Sequence, residues 1–415
     1  MWSDVPNLRH LRAFRRVVET RSVSEAARNV HLSQPAVTQA VGGLEGSLGL
    51  KLLERGANGM EPTAAGRSFA IRIARALELL RAGARGFLQI EARRDRKGFS
   101  NFEQLVTVPQ LRALAAVSRT GNFSVAARMI GVSQPSIHRA ARDLERLIGV
   151  PIFMKSHRGI ELTRAAEVLA LNVQLAFAEI RQGCAEVSAA GDNEAGTVVI
   201  GSMPLARSFI VPETLVRLSR ERPGVGLKVV EGPYDDLLHG LRHGDLDLLV
   251  GALRDPAPAQ DVVEEPLLRD PLGIVARIGH PLFAKRTITR EDLTRYPWVV
   301  PIEGTPTRAY FDRLIDVAEL TGLPALIETS SLIVVRGVLS RTDRLTIISP
   351  HQIMHEAGAL APLPIELEGS ARRIGFTARR SWRPTAAQQA FIGHLRAVSD
   401  AVERRERACN YPVIE

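Results

Sequence analysis

The stretch Ser133-Gln-Pro-Ser-Ile-His-Arg-Ala-Ala-Arg-Asp-Leu-Glu145 has a near copy one hundred residues earlier, Ser33-Gln-Pro-Ala-Val-Thr-Gln-Ala-Val-Gly-Gly-Leu-Glu45. Each predicts a short helix with a sharp start, because Ser offers an oxygen to free backbone N–H groups and Pro is tolerated in the first turn. Apolar residues recur at Ile137, Ala140, Ala141 and Leu144, and at Val37, Ala40, Val41 and Leu44, the spacing of one buried stripe. The opposite face then carries Gln134, Pro135, His138, Arg139 and Arg142 in the later copy, and Gln34, Pro35, Thr38, Gln39 and Gly42 in the earlier one. Gln and Arg can grip base edges with two hydrogen bonds each, and a helix fits the major groove. Both stretches therefore read as DNA-recognition helices.

The likeness extends well beyond these helices. Residues 11–65 laid over 111–165 without a gap give twenty identities. Leu11-Arg-Ala-Phe-Arg-Arg-Val-Val and Leu111-Arg-Ala-Leu-Ala-Ala-Val open each copy as an amphipathic helix. Ser24-Glu-Ala-Ala-Arg28 and Ser124-Val-Ala-Ala-Arg128 follow, with Ser24 and Ser124 expected as N-caps and the paired alanines allowing close helix approach. His31 or Gly131 turns the chain into the recognition helix, which is helix-turn-helix order. Leu52 to Thr63 and Ile152 to Thr163 then predict two-stranded wings turning at Gly59 and Gly159. Wings carry basic tips to phosphate or the minor groove; Lys155, His157 and Arg158 suit that role in the second copy, Arg55 and Asn58 in the first.

A long helix follows each wing, with Phe69, Ile73, Ala76, Leu80, Phe87 and Ile90 in the first and Leu169, Val173, Ala176, Ile180 and Val187 in the second. Their 4-3 spacing is that of a coiled-coil seam, the alternative being packing against the same chain's own body. Arg93-Arg-Asp-Arg-Lys-Gly-Phe-Ser-Asn101 reads as a charged linker.

At 415 residues the chain exceeds one ordinary core. Its charge is unevenly placed: counting Lys and Arg against Asp and Glu, residues 1–191 carry about +11 and the remainder about −2. The basic half is the half with the recognition helices, as nucleic-acid binding requires. Cys184 and Cys409 lie too far apart in sequence for a disulfide framework or a Cys-rich metal site, which fits a reducing cytosol. With neither a leader-like start nor a long apolar run, a cytoplasmic protein without membrane contact is expected.

After a linker, Ala189 to Gly196, short apolar strands alternate with helices: Val198 to Ile200, a helix near Pro212 to Glu221, Gly226 to Glu231, a helix from Asp235 to His243, and Asp245 to Gly251. This alternation predicts parallel α/β sheets, with ligands beyond the strands' carboxyl ends, which singles out Ser202, Met203 and Pro204. A second lobe is predicted from Ile278 to Pro350, and the chain returns through Arg373 to Thr377 and a helix from Thr385 to about Arg404 that rejoins the first lobe. Two lobes so joined enclose a cleft suited to a small ligand. His239 and His243, with Asp245 and Asp247 nearby, have a spacing a metal could use, but Leu237, Leu238 and Leu241 take the buried face and leave the histidines solvated. No phosphate loop, nucleophile elbow or Cys cluster is present, so neither catalysis, a metal nor a cofactor is expected.

At these residues both N-terminal units resemble the winged helix-turn-helix of LysR-type transcriptional regulators, in Leu-Arg…Ala-Ala-Arg…Ser-Gln-Pro-Ala…Leu-Glu…Leu-Gly…Leu-Thr-Arg-Ala. The chain departs from the family in carrying two units, and in placing Gly42-Gly43 where helix formers belong, at roughly 1 kcal/mol per Gly. The resemblance implies a multidomain fold: two N-terminal all-α winged helix-turn-helix units with long linker helices, then a two-lobed α/β periplasmic-binding-protein-like effector domain, which Leu-His-Gly-Leu-Arg-His-Gly-Asp-Leu-Asp-Leu also carries. The corresponding boundaries are 6–66 and 106–163 for the winged units, 67–92 and 164–190 for the long helices, 93–103 for the linker and 197–405 for the effector domain. It implies DNA contacts from Gln34, Pro35, Thr38, Gln39 and Asn58, and from the corresponding Gln134, Pro135, His138, Arg139 and Arg158; the helix starts, outward face and wing tips add Ser33, Arg55, Ser133, Arg142 and Lys155 to the expected contacts. It implies effector contacts from Ser202, Met203, Pro301, Thr305, Ser330 and Ser331, to which the strand-end position adds Pro204. Its partners are double-stranded promoter DNA, a small-molecule effector and further copies in a dimer or tetramer, with RNA polymerase as a further candidate. Two alternatives stay open: one helix-turn-helix serves as a protein-docking or dimerisation module, or the chain is a solute-binding or enzymatic protein with a vestigial regulator at its front.

Overall fold

The computed structural model describes residues 5–91, 102–157, 159–190, 196–254, 256–315, 326–353 and 358–408. The predicted linker over 93–101, most of 189–196 and Arg158 lie outside the described residues. The chain divides near residue 197 into two compact units.

The first unit repeats one element order. Helices α1 (Leu8–Thr20), α2 (Val23–Asn29) and α3 (Gln34–Leu48), a hairpin β1 (Leu53–Gly56) and β2 (Gly59–Pro62), and the long α4 (Ala64–Glu91) are followed by the short α5 (Phe102–Leu105). The order then recurs as α6 (Val108–Thr120), α7 (Phe123–Ile130), α8 (Gln134–Ile148), β3 (Phe153–Ser156) with β4 (Gly159–Leu162), and α9 (Arg164–Ala190). Ser33 and Ser133 cap α3 and α8 as the sequence predicts, accepting from Ala36 N and Ser136 N. The caps of α2 and α7 differ from expectation: they are Ser22 and Asn122, not Ser24 and Ser124. Ser22 Oγ accepts from the amide three residues on, Glu25, and the side chain of Asn122 takes those of Ser124 and Val125, so the helices begin before Ser24 and Ser124.

In the second unit the sheets are mixed rather than purely parallel. One runs in the order β6 (Gly226–Val230), β5 (Thr197–Ser202), β7 (Leu248–Ala252), β14 (Arg372–Arg379), β8 (Val262–Asp270). The other runs β11 (Ile327–Glu328), β10 (Trp298–Val300), β12 (Leu345–Ile348), β9 (Gly273–Arg277), β13 (Leu360–Pro362). Strands joined by crossover helices pair in parallel, β5 with β7 and β10 with β11 and β12, whereas the strands entering from the other lobe, β9 and β14, run antiparallel to their neighbours. The last helix, α16 (Ala386–Ala408), packs on α11 (Ile210–Glu221) and β8, which returns the chain to the first lobe. Trp298 and Phe311 meet in a tilted contact, ring centroids 5.0 Å apart, in the second lobe's core, on β10 and α14 (Pro306–Ile315).

The two long helices of the first unit pair with each other, so the seam that the sequence predicts finds its partner in the same chain. Ile90 falls outside that seam and is exposed, beyond the last buried turn at Phe87. A Cβ on Gly83 would lie 2.7 Å from Asn172, and one on Gly183 would lie 2.9 Å from Arg72. These reciprocal contacts make the pair antiparallel with an approximate two-fold relating residue n to n+100, and only glycine admits so close an approach. A single hydrophobic core runs from Leu8, Phe14 and Phe69 through Leu77 and Phe177 to Leu144 and Ile137, joining both winged units and both helices.

The approximate symmetry breaks at one end. Arg72 is 1% exposed and donates to Glu179 (3.0 Å), Gln182 (3.0 Å) and Glu186 (2.6 Å). Burial alone would lower its pKa, but these acceptors outweigh that and raise it. At the related end Asn172 replaces the arginine, and Leu79, Ala82 and Gly86 replace the acceptors. Pairing α4 with another α4 would strand a buried guanidinium, and pairing α9 with another α9 would strand buried carboxylates, at roughly 3–5 kcal/mol for a broken buried pair. The network thus selects α4 against α9. Replacing Arg72 by Ala is expected to destabilise the first unit by about that 3–5 kcal/mol, read from denaturant unfolding. An unchanged midpoint would show that the network does not hold the pair.

Candidate nucleic-acid interface

Apolar residues turn one side of each recognition helix inward: Val37, Ala40, Val41 and Leu44 in α3, Ile137, Ala141 and Leu144 in α8, with Ala140 half-buried. Geometry then forces the remaining face outward. Ser33, Gln34, Pro35, Thr38 and Gln39 are exposed, as are Ser133, Gln134, Pro135, Arg139 and Arg142. Among the described residues Arg139 and Arg142 have no ion-pair or hydrogen-bond partner in the chain, unlike neighbouring Arg146, which pairs with Asp143 at 3.0 Å. A guanidinium left in water on a convex helix face keeps all its donors for a ligand. Gln34 is oriented by Ser24, whose hydroxyl donates to its Oε1 at 3.1 Å and leaves its amide donors outward. His138 departs from a simple outward reading: it is half-buried, with its ring 4.1 Å from that of Phe123, which also meets Phe153 of the second wing. Its counterpart Thr38 donates to the carbonyl of Gln34.

Arg55, Asn58 and Lys155 are exposed on the hairpins. What holds these wings beside their helices is a feature that the motif reading passed over. Glu45, 8% exposed, accepts from Leu52 N (2.9 Å) and Leu53 N (3.1 Å), and Glu145 accepts from Ile152 N and Phe153 N in the same way. The turn glycines lock the other end: Met60 N donates to Arg21 O and Ile160 N to Gly121 O, and a Cβ on Gly59 or Gly159 would come within 2.4 or 2.6 Å of those oxygens. The repeated Leu-Glu was the available signal for the first anchor, since a carboxylate under an apolar stripe needs a donor.

In the second unit every residue predicted to meet an effector stands at or beyond the carboxyl end of a parallel strand. Ser202 is the last residue of β5, Met203 follows it, and Pro204 opens the short α10 (Pro204–Ser208). Pro301 follows β10, Thr305 accepts from Arg308 N at the start of α14, and Ser331 caps α15 (Leu332–Leu339) beside Ser330. The two sets belong to different lobes, and Ser202 is buried whereas Ser330 and Ser331 are exposed. Sequence reading missed Asp270, fully buried at the end of β8, which accepts from Ser349 and Arg372 where the strands cross between lobes. Asp247 of the considered metal cluster instead accepts from Val199 N at 2.8 Å, and among the described residues no group of metal-ligating side chains gathers. No helix is long and apolar enough to cross a membrane among those residues.

Paired helix-turn-helix segments with outward polar faces, followed by a two-lobed α/β domain, define a DNA-binding regulator with an effector domain. The sequence pattern of the bacterial regulatory helix-turn-helix protein of the lysR family matches residues 8–67 and again 108–167, and that of the LysR substrate binding domain matches 191–400. The chain belongs to the LysR family of transcriptional regulators and is not an enzyme. It is 34% identical to the HTH-type transcriptional regulator GalR of Pseudomonas putida over 95% of this chain and 98% of that one. It is 29% identical to PcaQ of Agrobacterium fabrum, over 68% of this chain and 92% of that one. A full-length OxyR variant from Pseudomonas aeruginosa shares the fold over 70% of this chain and 95% of its own, with a TM-score of 0.55 and 22% identity.

Glu45 also gives the wing a pH dependence. Burial opposes its charge, but Lys51 at 2.6 Å and the two amides outweigh burial and hold its pKa below the ordinary 4.5. A depressed folded value means stability present in full above 4.5 and lost as pH falls through the folded pKa. The stability gap between the native chain and Glu45→Gln should therefore be wide at neutral pH and shrink in acid. An equal gap at both would contradict the anchoring role.

Proposed function

We propose that both helix-turn-helix units engage one promoter duplex, as paired half-site readers carried by a single chain, and that a small molecule held between the lobes controls them. The observation that carries this reading is the continuous core through both winged units and the antiparallel α4–α9 pair, which makes the two units one body related by an approximate dyad. DNA offers two half-sites related in the same way. In this reading Gln34, Gln39, Gln134 and Arg139 probe bases, Ser33, Pro35, Thr38, Ser133, Pro135 and His138 shape the approach, and Arg55, Asn58, Arg142, Lys155 and Arg158 hold backbone. The effector lies against Ser202, Met203 and Pro204 on one side and Pro301, Thr305, Ser330 and Ser331 on the other, where hydroxyls and helix starts suit a polar, anionic group. Further copies assemble on the promoter in the cytoplasm.

The second unit supplies most of the affinity, because Arg139 and Arg142 stand where the first unit has Gln39 and Gly42, and hydrogen bonds from a charged group are about twice as strong as neutral ones. Operator titration at fixed salt should show a loss for both Arg139→Ala and Gln39→Ala, larger for Arg139→Ala by about tenfold. Equal losses would reject that dominance. A Gln39→Ala chain that binds like the native one, with a footprint of a single half-site, would assign DNA to the second unit alone.

A further inference from the structure

We infer that this chain is built to read a non-palindromic operator: two unlike half-sites in fixed order, one presenting guanine to Arg139 while Arg142 holds its backbone, the other presenting adenine to Gln39. The inference rests on the reading that both units bind one duplex, and goes on to name the class of DNA that fits them.

A homodimer shows the same face twice and so matches symmetric sites. Here the paired faces differ where base identity is read. Gln39 is exposed with an amide that matches adenine's donor and acceptor, whereas Arg139 is exposed with a guanidinium that matches the two acceptors of guanine. Arg142 adds a second cation where Gly42 offers no side chain. The ring of His138 lies against Phe123 at 4.1 Å, while the hydroxyl of Thr38 is turned to its own helix, so even the shared turn presents a different outline.

The pairing of unlike faces is itself enforced. Arg72 finds its acceptors, Glu179, Gln182 and Glu186, on α9, and the related positions of α4 hold Leu79, Ala82 and Gly86. Even if two chains exchanged long helices, each pair would still join one α4 to one α9. Every pair therefore carries one α3 and one α8, never two of either.

Selection of randomised duplexes by the full-length chain tests this. The expected product is a site of two dissimilar half-sites. Synthetic palindromes made by duplicating either half should bind at least about tenfold more weakly. A chain carrying His138→Thr, Arg139→Gln and Arg142→Gly, two of whose changes lie on an outward face and the third on a half-buried ring, and whose folding is checked by its melting curve, should shift its preference to the palindrome of the first unit's half. A palindromic selected site, or palindromes bound as well as the mixed site, would overturn this inference alone. A selected site with a single half would overturn it together with the reading beneath it.

Discussion

Arg72 holds the arrangement on which the rest of the N-terminal unit depends. A fully buried guanidinium is tolerated only with its charge matched, and here two carboxylates and an amide oxygen from the facing helix match it. Glycines on both helices let the backbones approach until those groups meet, and Phe69, Leu77 and Phe177 close the core around them. Both helix-turn-helix units and both partners of the long helix pair come from the one chain.

From that pairing follows the placement of everything aimed outward. Each winged unit sits on its own long helix, and each wing is tied at one end by a glutamate, buried in the first unit and half-buried in the second, and at the other by a glycine against a helix carbonyl. The scaffold is nearly the same twice, while the surfaces it presents differ. The copies diverge at the solvent face, which frees recognition to change, and in the buried Arg72 network, which fixes which helices pair.

Much of this was legible in the chain. The hundred-residue offset, the capping serines, the inward stripes and the turn glycines fix the repeated unit, because each is a local consequence of spacing or of a φ that only glycine adopts easily. The alternation of strands and helices gave the two lobes and the return of the last helix. Less legible was anything decided at long range. The 4-3 stripe states that a helix has a partner without naming it, and Arg72 in that stripe reads as a surface residue until Glu179 and Glu186 are seen across from it. His138 counted as outward because its helix phase is outward; Phe123, far back in sequence, claims one side of its ring. The antiparallel strands of the lobes escaped because crossover direction is set by where the chain re-enters, not by strand composition.

The central claim, that α4 and α9 of one chain pair with each other, is tested most directly by a cross-link between them. Because Cβ atoms at 83 and 172 would stand too close for a disulfide, it is placed between Gly86→Cys and Val168→Cys in a chain whose Cys184 and Cys409 are replaced by Ser. After mild oxidation and denaturation, the account predicts a cross-linked species of single-chain mass that runs faster than its reduced form. Covalent dimers in its place would contradict it.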